Sequence, residues 1–523
     1  MKTLMNKITA EAIFDYLKNS DAAIKIIAID ADENQFSLDF AAKKNISEKD
    51  LASIEAGVLK LLAKNEEKYA IDAKNSSSVI KFLKLRGVSG IVNEDFLVAN
   101  RIFGLAESDK KDFAAKLSKI ADEESRDHRK IGEDLELFFI DDLVGKGLPI
   151  WLPNGVALKN QIKKFILEQE RKNGFSQVET PNIGSLDLFI ASGHYDHYNE
   201  SIFPYMENKE HEKFLLRPMS CPMHVRVFKR KPRSYKELPI RIAEQVMMYR
   251  YEASGALLGL ERTRAMELTD SHIFLAEEQL RDELSMLYSM IAETLKKFDI
   301  EIEYVELALH DPKDTKKYHG DPEMWARAEN MLRDYLNKEN IEYVEKSGEA
   351  AFYGPKIDIQ IRTAIGHLIT VSTLQLDFYL PEKLHVEYID KNNEKVAPIM
   401  VHRGFIGTYE RFISILLEQT KGNLPMWLAP QQAVVLPINN KYHLDYAKEI
   451  YQKLFDSDVR VRLDDSDERL KNKIRQAQTK KVKVQIIIGD KEVKDGTISY
   501  RFYGEEETRI AKSFAELLKL FKN

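Results

Sequence analysis

RIAEQVMMYRYEASGALLGLERTRAMELTDSHIF, residues 241–274, decides how this chain is read. It predicts a strand carrying Arg250 and Glu252, a glycine-containing loop that turns back, and a second strand carrying Asp270 and His272. The Arg250 guanidinium can fork onto a phosphate, and Arg262 and Arg264 in the loop can hold further phosphates. A solvated hairpin with scattered charge is the plain alternative. Three arginines and a carboxylate converging on one hairpin are more than solubility requires.

Working outward, HRGFIGTYERFISILLEQ (402–419) reads as a turn into a helix whose core face is Tyr409, Phe412, Ile413, Leu416 and Leu417. Arg411 falls in the first helical turn, beside the positive helix end, where a polyphosphate is favoured. On its own it would be a surface arginine. Upstream, VALKNQIKKFILEQERKNG (156–174) places Leu158, Ile162, Phe165 and Ile166 on one helical face, with Asn173 and Gly174 as its stop. FSQVETP (175–181) follows as a short strand ended by Pro181. Strand-like runs recur at 240–252, 352–361 and 368–379, around a helix-rich section at 276–340. That arrangement predicts an antiparallel α+β core rather than a parallel sheet.

The chain's single cysteine, Cys221, stands in RPMSCPMH (217–224). A lone thiol cannot make an intramolecular disulfide, so packing, reactivity or metal ligation must account for it. One cysteine in 523 residues fits a reducing compartment. The N-terminus lacks an apolar core of signal-peptide length, and no run approaches the ~20 apolar residues of a membrane span, which leaves the cytoplasm as the expected location. A net charge of −6 neither announces nor excludes a nucleic-acid partner, since RNA binding needs only a local basic face.

Composition changes mark three expected domains: 1–125, rich in Lys, Glu, Asp and Ala; a larger central domain at 126–428; and a compact α/β domain at 429–523. In the first, EKDLASIEAGVLKLLAK has helical apolar spacing, which points to a small α/β domain.

The three segments around Pro181, 241–274 and 402–419 resemble the three signature motifs of class II aminoacyl-tRNA synthetases. LFIASGHYDHY, RPMSCPMH, RSYKELPIRIAE, YRYEASGALLGL, FYGPKIDI, LQLDFYLPE, HRGFIGTYERF and GDKEV, in this order, resemble the threonyl-tRNA synthetase family across residues 126–523. The resemblance implies ATP-dependent activation of L-threonine, transfer to the 3′ end of tRNA(Thr), and a homodimer paired through the segment ending at Pro181.

It further implies a Zn²⁺ held by Cys221, His272 and His402, a donor set with an open position for the amine and hydroxyl of threonine. Arg250 would hold the α-phosphate, Glu252 would lie near the adenine, and Arg262 and Arg411 would grip the γ-phosphate of an ATP carrying Mg²⁺. Asp270 would accept a hydrogen bond from threonine, and Tyr353, Lys356 and Gln375 would line the pocket. His194 matches the histidine that helps deprotonate the terminal ribose, a role suited by a near-neutral imidazole. Glu492 and Arg501 match anticodon-reading positions, and the basic QTKKVKV run could meet phosphates or simply end a solvated helix. His224 matches no ligand and is expected to be structural or to support the ligands.

The chain departs from the family at Met266, where a Phe normally stacks on adenine, at Leu268, and at Thr370, where Gln is usual. Residues 1–127 contain neither His nor Cys, the residue types of the family's N-terminal editing site. ISEKDLASIEAGVLKLLAKN and VNEDFLVANRIFGLAES faintly echo that domain, so it is expected to be a reduced remnant without cis editing of seryl-tRNA(Thr). The competing expectation is a synthetase-like paralogue that senses an amino acid or binds RNA without catalysis. Such a paralogue should lose the phosphate arginines, and here all three are present.

Overall fold

Ile240–Tyr249 and Ala265–Leu275, buried or half-buried along their whole length, pair antiparallel without a slip, from Ile240↔Phe274 to Tyr249↔Ala265. A computed structural model describes residues 2–20, 24–31, 36–42, 48–64, 79–92, 97–107, 110–318 and 321–521. Arg250 and Glu252 fall just beyond the first strand, where Arg250 N–H still bonds to Arg264 C=O at 2.9 Å. The hairpin is part of an eight-stranded sheet. Its order is Tyr343–Ser347, Tyr304–Leu309, Lys356–Arg362, Leu368–Asp377, Ile399–Thr408, Ala265–Leu275, Ile240–Tyr249 and Ser176–Gln177. All neighbours run antiparallel except the pairs at the two edges. The α+β expectation holds.

Two segments differ from the sequence expectation. HRGFIG is not a turn but the later part of Ile399–Thr408, a central strand that pairs on both sides. Its two glycines read locally as turn formers, yet only Gly407 has positive φ (+64°), where the chain swings into the helix Tyr409–Thr420. Thr408 caps that helix by accepting Arg411 N–H at 3.0 Å. The section 276–340 also holds the strand Tyr304–Leu309 between the helices Leu280–Lys297 and Pro322–Lys338. A buried strand flanked by long helices carries no distinguishing period.

Helix Pro153–Lys172 packs Leu158, Ile162 and Ile166, all fully buried, into the main core beside Phe412, Ile413, Leu416 and Leu417. Its Glu170 pairs with Arg403 of the central strand, and both side chains are fully buried. The Arg403 guanidinium lies 4.6 Å from the ring centres of both Phe175 and Phe405, so aromatic faces share the desolvated charge.

The C-terminal sheet runs Val461–Leu463, Ala433–Pro437, Val484–Ile488, Ile498–Phe502 and Arg509–Ala511, parallel across the first three and antiparallel after. The basic run beside it has a structural task. Lys480 bonds to Asp134 C=O at 2.9 Å, while Lys481 and Lys483 reach Lys421 C=O and Asn423, just past the end of the helix Tyr409–Thr420.

The chain separates into two compact units, 1–124 and 125–523. The first contains a four-stranded antiparallel sheet with helices Lys2–Ser20 and Glu48–Lys64. Leu51, Ile54 and Val58 of the second helix share a core with Ile13, Leu17, Phe36, Leu38 and Phe40. Among the described residues, no helix is long and apolar enough to cross a membrane.

Candidate active site

On the face of the sheet around Asp270 and His402 lies a cavity of about 400 Å³. Three basic residues expected there, Arg250, Arg262 and Arg411, line it, as do Glu252, Met266 and Asp270. So do Tyr353, Lys356, Gln375, Cys221 and His402. His272 and His194 are fully buried in its surroundings. Glu492 and Arg501 belong to the C-terminal sheet region.

The donor cluster follows from register. His272 and His402 are direct partners on adjacent strands, and Gln375 flanks His402 on the other side. Cys221 opens the helix Cys221–Phe228. Sγ of Cys221 is 3.5 Å from Nδ1 of His402, which is 2.9 Å from Nε2 of His272. Among the described residues, these three form the group of donors that could share a cation, all within 4.8 Å of one another.

The partners behind the ring nitrogens fix the tautomers. Burial would raise the Glu244 pKa, but hydrogen bonds from His224 and Thr180 and the charge of Arg217 hold it below the usual value, so it accepts only. Nε2 of His224, 3.0 Å away, therefore donates to it. Nδ1 of His224 then accepts from Nδ1 of His272 at 2.7 Å, which leaves Nε2 of His272 a bare lone pair. Nε2 of His402 donates to Asp377 at 2.7 Å, which leaves its Nδ1 likewise bare. Burial raises the Asp377 carboxyl, and the bond from His402 counters it.

Two imidazole lone pairs 2.9 Å apart beside a thiol repel unless a cation lies among them. Burial above all pushes His272 well below its usual pKa, so His272 does not take up a proton to relieve the contact. Burial, with Asp270 and Asp377 nearby, pushes the Cys221 thiol up, and a bound metal reverses that by taking the thiolate. The residues present thus fit a Cys/His/His-bound zinc, and the supports behind both histidines are those that orient metal ligands. His224 supports a ligand rather than being one.

The arginines are held differently. Burial, followed by the nearby charges of Arg250 and Arg262, lowers the Arg411 pKa despite opposing carboxylates, which marks a site short of negative charge. Nε of Arg411 donates to Glu261 C=O at 3.1 Å. Arg262 makes two bonds to Glu252, at 2.8 and 2.9 Å. Arg264 is not a free phosphate binder: it bonds to Glu252 C=O, Lys146 C=O and Ser254 Oγ and so braces the loop. Met266 packs with Val246, Met248 and Leu268 into an apolar floor. Ser220 hydrogen-bonds to Asp270, a support that RPMSCPMH did not disclose. Lys356 pairs with Asp358, which also accepts Thr373 Oγ1 at 2.7 Å, and Gln375 donates to Gly354 C=O at 3.0 Å.

His194 departs from the near-neutral expectation. Burial above all, with His402, His197 and Lys383 close by, lowers its pKa to about 3. Ser192 Oγ donates to Phe189 C=O, so Nδ1 of His194 donates to Ser192 at 2.9 Å. Its Nε2 is buried with no hydrogen-bond partner. Both oxygens of Glu492 are engaged, by Gly489 N–H at 2.9 Å and Ser499 Oγ at 2.6 Å. Arg501 reaches Thr508 Oγ1 at 3.4 Å, with a buried, unpartnered Nε.

Comparison with known proteins matches residues 205–420 to the class II tRNA synthetase core domain (G, H, P, S and T) and 432–523 to an anticodon binding domain. The threonine–tRNA ligase of Streptococcus thermophilus is 46% identical over 436 residues, 83% of this chain and 67% of that protein. That of Staphylococcus epidermidis is 46% identical over 435 residues, with the same coverage of both chains. The solved RNA binding domain of threonyl-tRNA synthetase from Cryptosporidium parvum Iowa II is 35% identical with a TM-score of 0.71, over 76% of this chain and 97% of that one. A donor cluster and a set of arginines sharing one cavity, and this similarity over most of the sequence, lead to one conclusion: the chain belongs to the threonine–tRNA ligase family of class II aminoacyl-tRNA synthetases.

Proposed function

We propose that the protein activates L-threonine with ATP to threonyl-adenylate and transfers the threonyl group to the 3′ end of tRNA(Thr). The observation that carries this reading is the opening of the arginine cluster and the Cys221/His402 donors onto one cavity. Mg²⁺ would accompany ATP, and Cys221, His272 and His402 would hold a zinc able to take the amine and hydroxyl of threonine. A site that satisfies a hydroxyl rejects valine, which lacks it.

Asp270, steadied by Ser220, accepts a hydrogen bond from the amino acid. Tyr353, Lys356 and Gln375 complete that wall. Arg250 holds the α-phosphate while a threonine carboxylate oxygen attacks phosphorus and pyrophosphate departs, so the protein positions reactants and neutralises charge. Arg411, tethered through Nε, keeps its terminal nitrogens for the γ-phosphate, and Arg262 turns from Glu252 to join it. Glu252 then faces the adenine, whose ring lies on the Met266 floor. In the second step the ribose hydroxyl attacks the threonyl carbonyl and AMP leaves. Nε2 of the neutral His194, which has no protein partner, accepts a hydrogen bond from that hydroxyl and so assists its deprotonation. Glu492 and Arg501 read the anticodon, and the cytoplasm is the compartment that keeps Cys221 reduced. ATP–pyrophosphate exchange across the twenty amino acids should respond to threonine; exchange with serine or proline instead, or none, would overturn the reading.

Discrimination against serine rests on one methyl, worth only about 1–3 kcal/mol. The unit 1–124 carries no His or Cys with which to hydrolyse a mischarged product. Seryl-tRNA(Thr) given to the protein should therefore decay at the uncatalysed rate, and rapid deacylation would refute this.

The active assembly is a homodimer. Exposed apolar side chains gather on the segment before and along the helix Pro153–Lys172 and its continuation: Phe139, Ile140, Leu143, Val144, Val156 and Ile183. Leu143 is the most exposed of them, at 98%. Light scattering at micromolar concentration should return twice the 60.4 kDa chain mass, and a monomer mass would contradict it.

A further inference from the structure

His128 is 2% exposed, although it opens a seven-residue helix, His128–Asp134, outside the cavity. One ring nitrogen, Nε2, accepts the backbone N–H of Leu260 at 3.1 Å. A backbone N–H can only donate, so Nε2 carries no proton and Nδ1 carries it. Nδ1 then donates to Glu418 Oε1 at 2.7 Å, and Glu418 is 1% exposed. Glu418 lies near the C-terminal end of the helix that carries Arg411 in its first turn. Arg126 grips the same helix end through Glu418 C=O and Gln419 C=O, at 3.2 and 3.3 Å.

Leu260 immediately precedes Glu261, whose carbonyl holds Arg411, and Arg262 comes next. The turn between is tight: Arg262 N–H bonds back to Leu258 C=O. His128 thus ties the loop between the hairpin strands to the helix that bears the third arginine. Gly259 shows how close the fit is. It has φ +48°, and a Cβ there would stand 2.2 Å from His128 Nε2.

We propose that His128 and Glu418 form a clasp that sets the position of the loop 258–264 and hence the spacing of Arg262 and Arg411 over the ATP phosphates. His128 is a positioning residue: it acts through Leu260 and touches no substrate. The proposal rests on the reading of the cavity as an ATP site. By it, the segment 126–134, which follows the N-terminal unit, is a component of nucleotide affinity.

The test is steady-state pyrophosphate exchange. Threonine-dependent exchange by the unaltered enzyme establishes the site independently, so only the variants bear on the clasp. His128→Ala should raise KM for ATP about tenfold, with KM for threonine and zinc content unchanged. In His128→Gln the amide can donate to Glu418 and accept from Leu260, and KM for ATP should return to within about threefold of the original. Gly259→Ala keeps both polar partners but forces the ring aside, and should raise KM for ATP as His128→Ala does, which covers the case of an alanine variant that fails to fold. An unchanged KM for ATP in a folded variant, an equal rise in both KM values, or no rescue by Gln would overturn the proposal.

Discussion

Replacing Cys221 by Ser should strip zinc from the protein and abolish threonine-dependent exchange while the fold survives. Zinc held by a full ligand set is stabilised by about 10–16 kcal/mol, so losing one thiolate of such a set costs at least about 3 kcal/mol, or a hundredfold in affinity. The fold should persist because Cys221 packs in a satellite cluster with Val225, Phe228 and Phe274, separate from the main core. His224→Ala should give a graded result, weakening zinc about 10–100-fold, because His272 loses the partner that fixes its tautomer. Metal content measured against a competing chelator separates the three proteins. Full activity in a demonstrably zinc-free Cys221→Ser enzyme would end the metal reading.

Arg250→Gln should leave zinc content untouched and cut the exchange rate by about 10²–10³-fold, the usual cost of removing a preorganised donor from developing charge. Arg250 sits where the ladder ends, its own N–H paired with Arg264 C=O, so the replacement perturbs the side chain and not the loop. The loss should fall on kcat more than on KM for threonine, because the wall proposed for threonine, Asp270, Tyr353 and Gln375, is left intact. A loss below about tenfold would remove Arg250 from the charge-stabilising role.

The donor set was legible through the family resemblance: Cys221 is the single cysteine, but His272 and His402 are two of twelve histidines and only their motif contexts pick them out. The hairpin was legible because arginines and a carboxylate fall on two strand-like runs joined by a glycine-containing loop. What sits behind them was not. Asp377 is an acidic residue in an apolar strand end, and Glu244 is one of several glutamates in the hairpin segment. Only the register, which sets His272 against His402, makes them supports. Lys481 and Lys483 looked available for RNA because sequence cannot show that carbonyl and amide acceptors past a helix end already face them. The strand Ile399–Thr408 was hidden by its glycines. Near-neutral titration of His194 failed because the depth of burial, invisible in SGHYDH, governs it.

The buried pair of Arg403 and Glu170 has a consequence for the history of the chain. Removing one partner of such a pair costs about 3–5 kcal/mol, whereas replacing both by apolar residues is near neutral. For a domain with about 5–15 kcal/mol in hand, the first of those steps alone removes a large share of the stability. Glu170 and Arg403 lie 233 positions apart, yet neither can drift without the other. Any descendant that has exchanged them must have crossed through a double change or a destabilised ancestor. The helix Pro153–Lys172 and the strand of His402 are therefore tied, at these two positions, to change together.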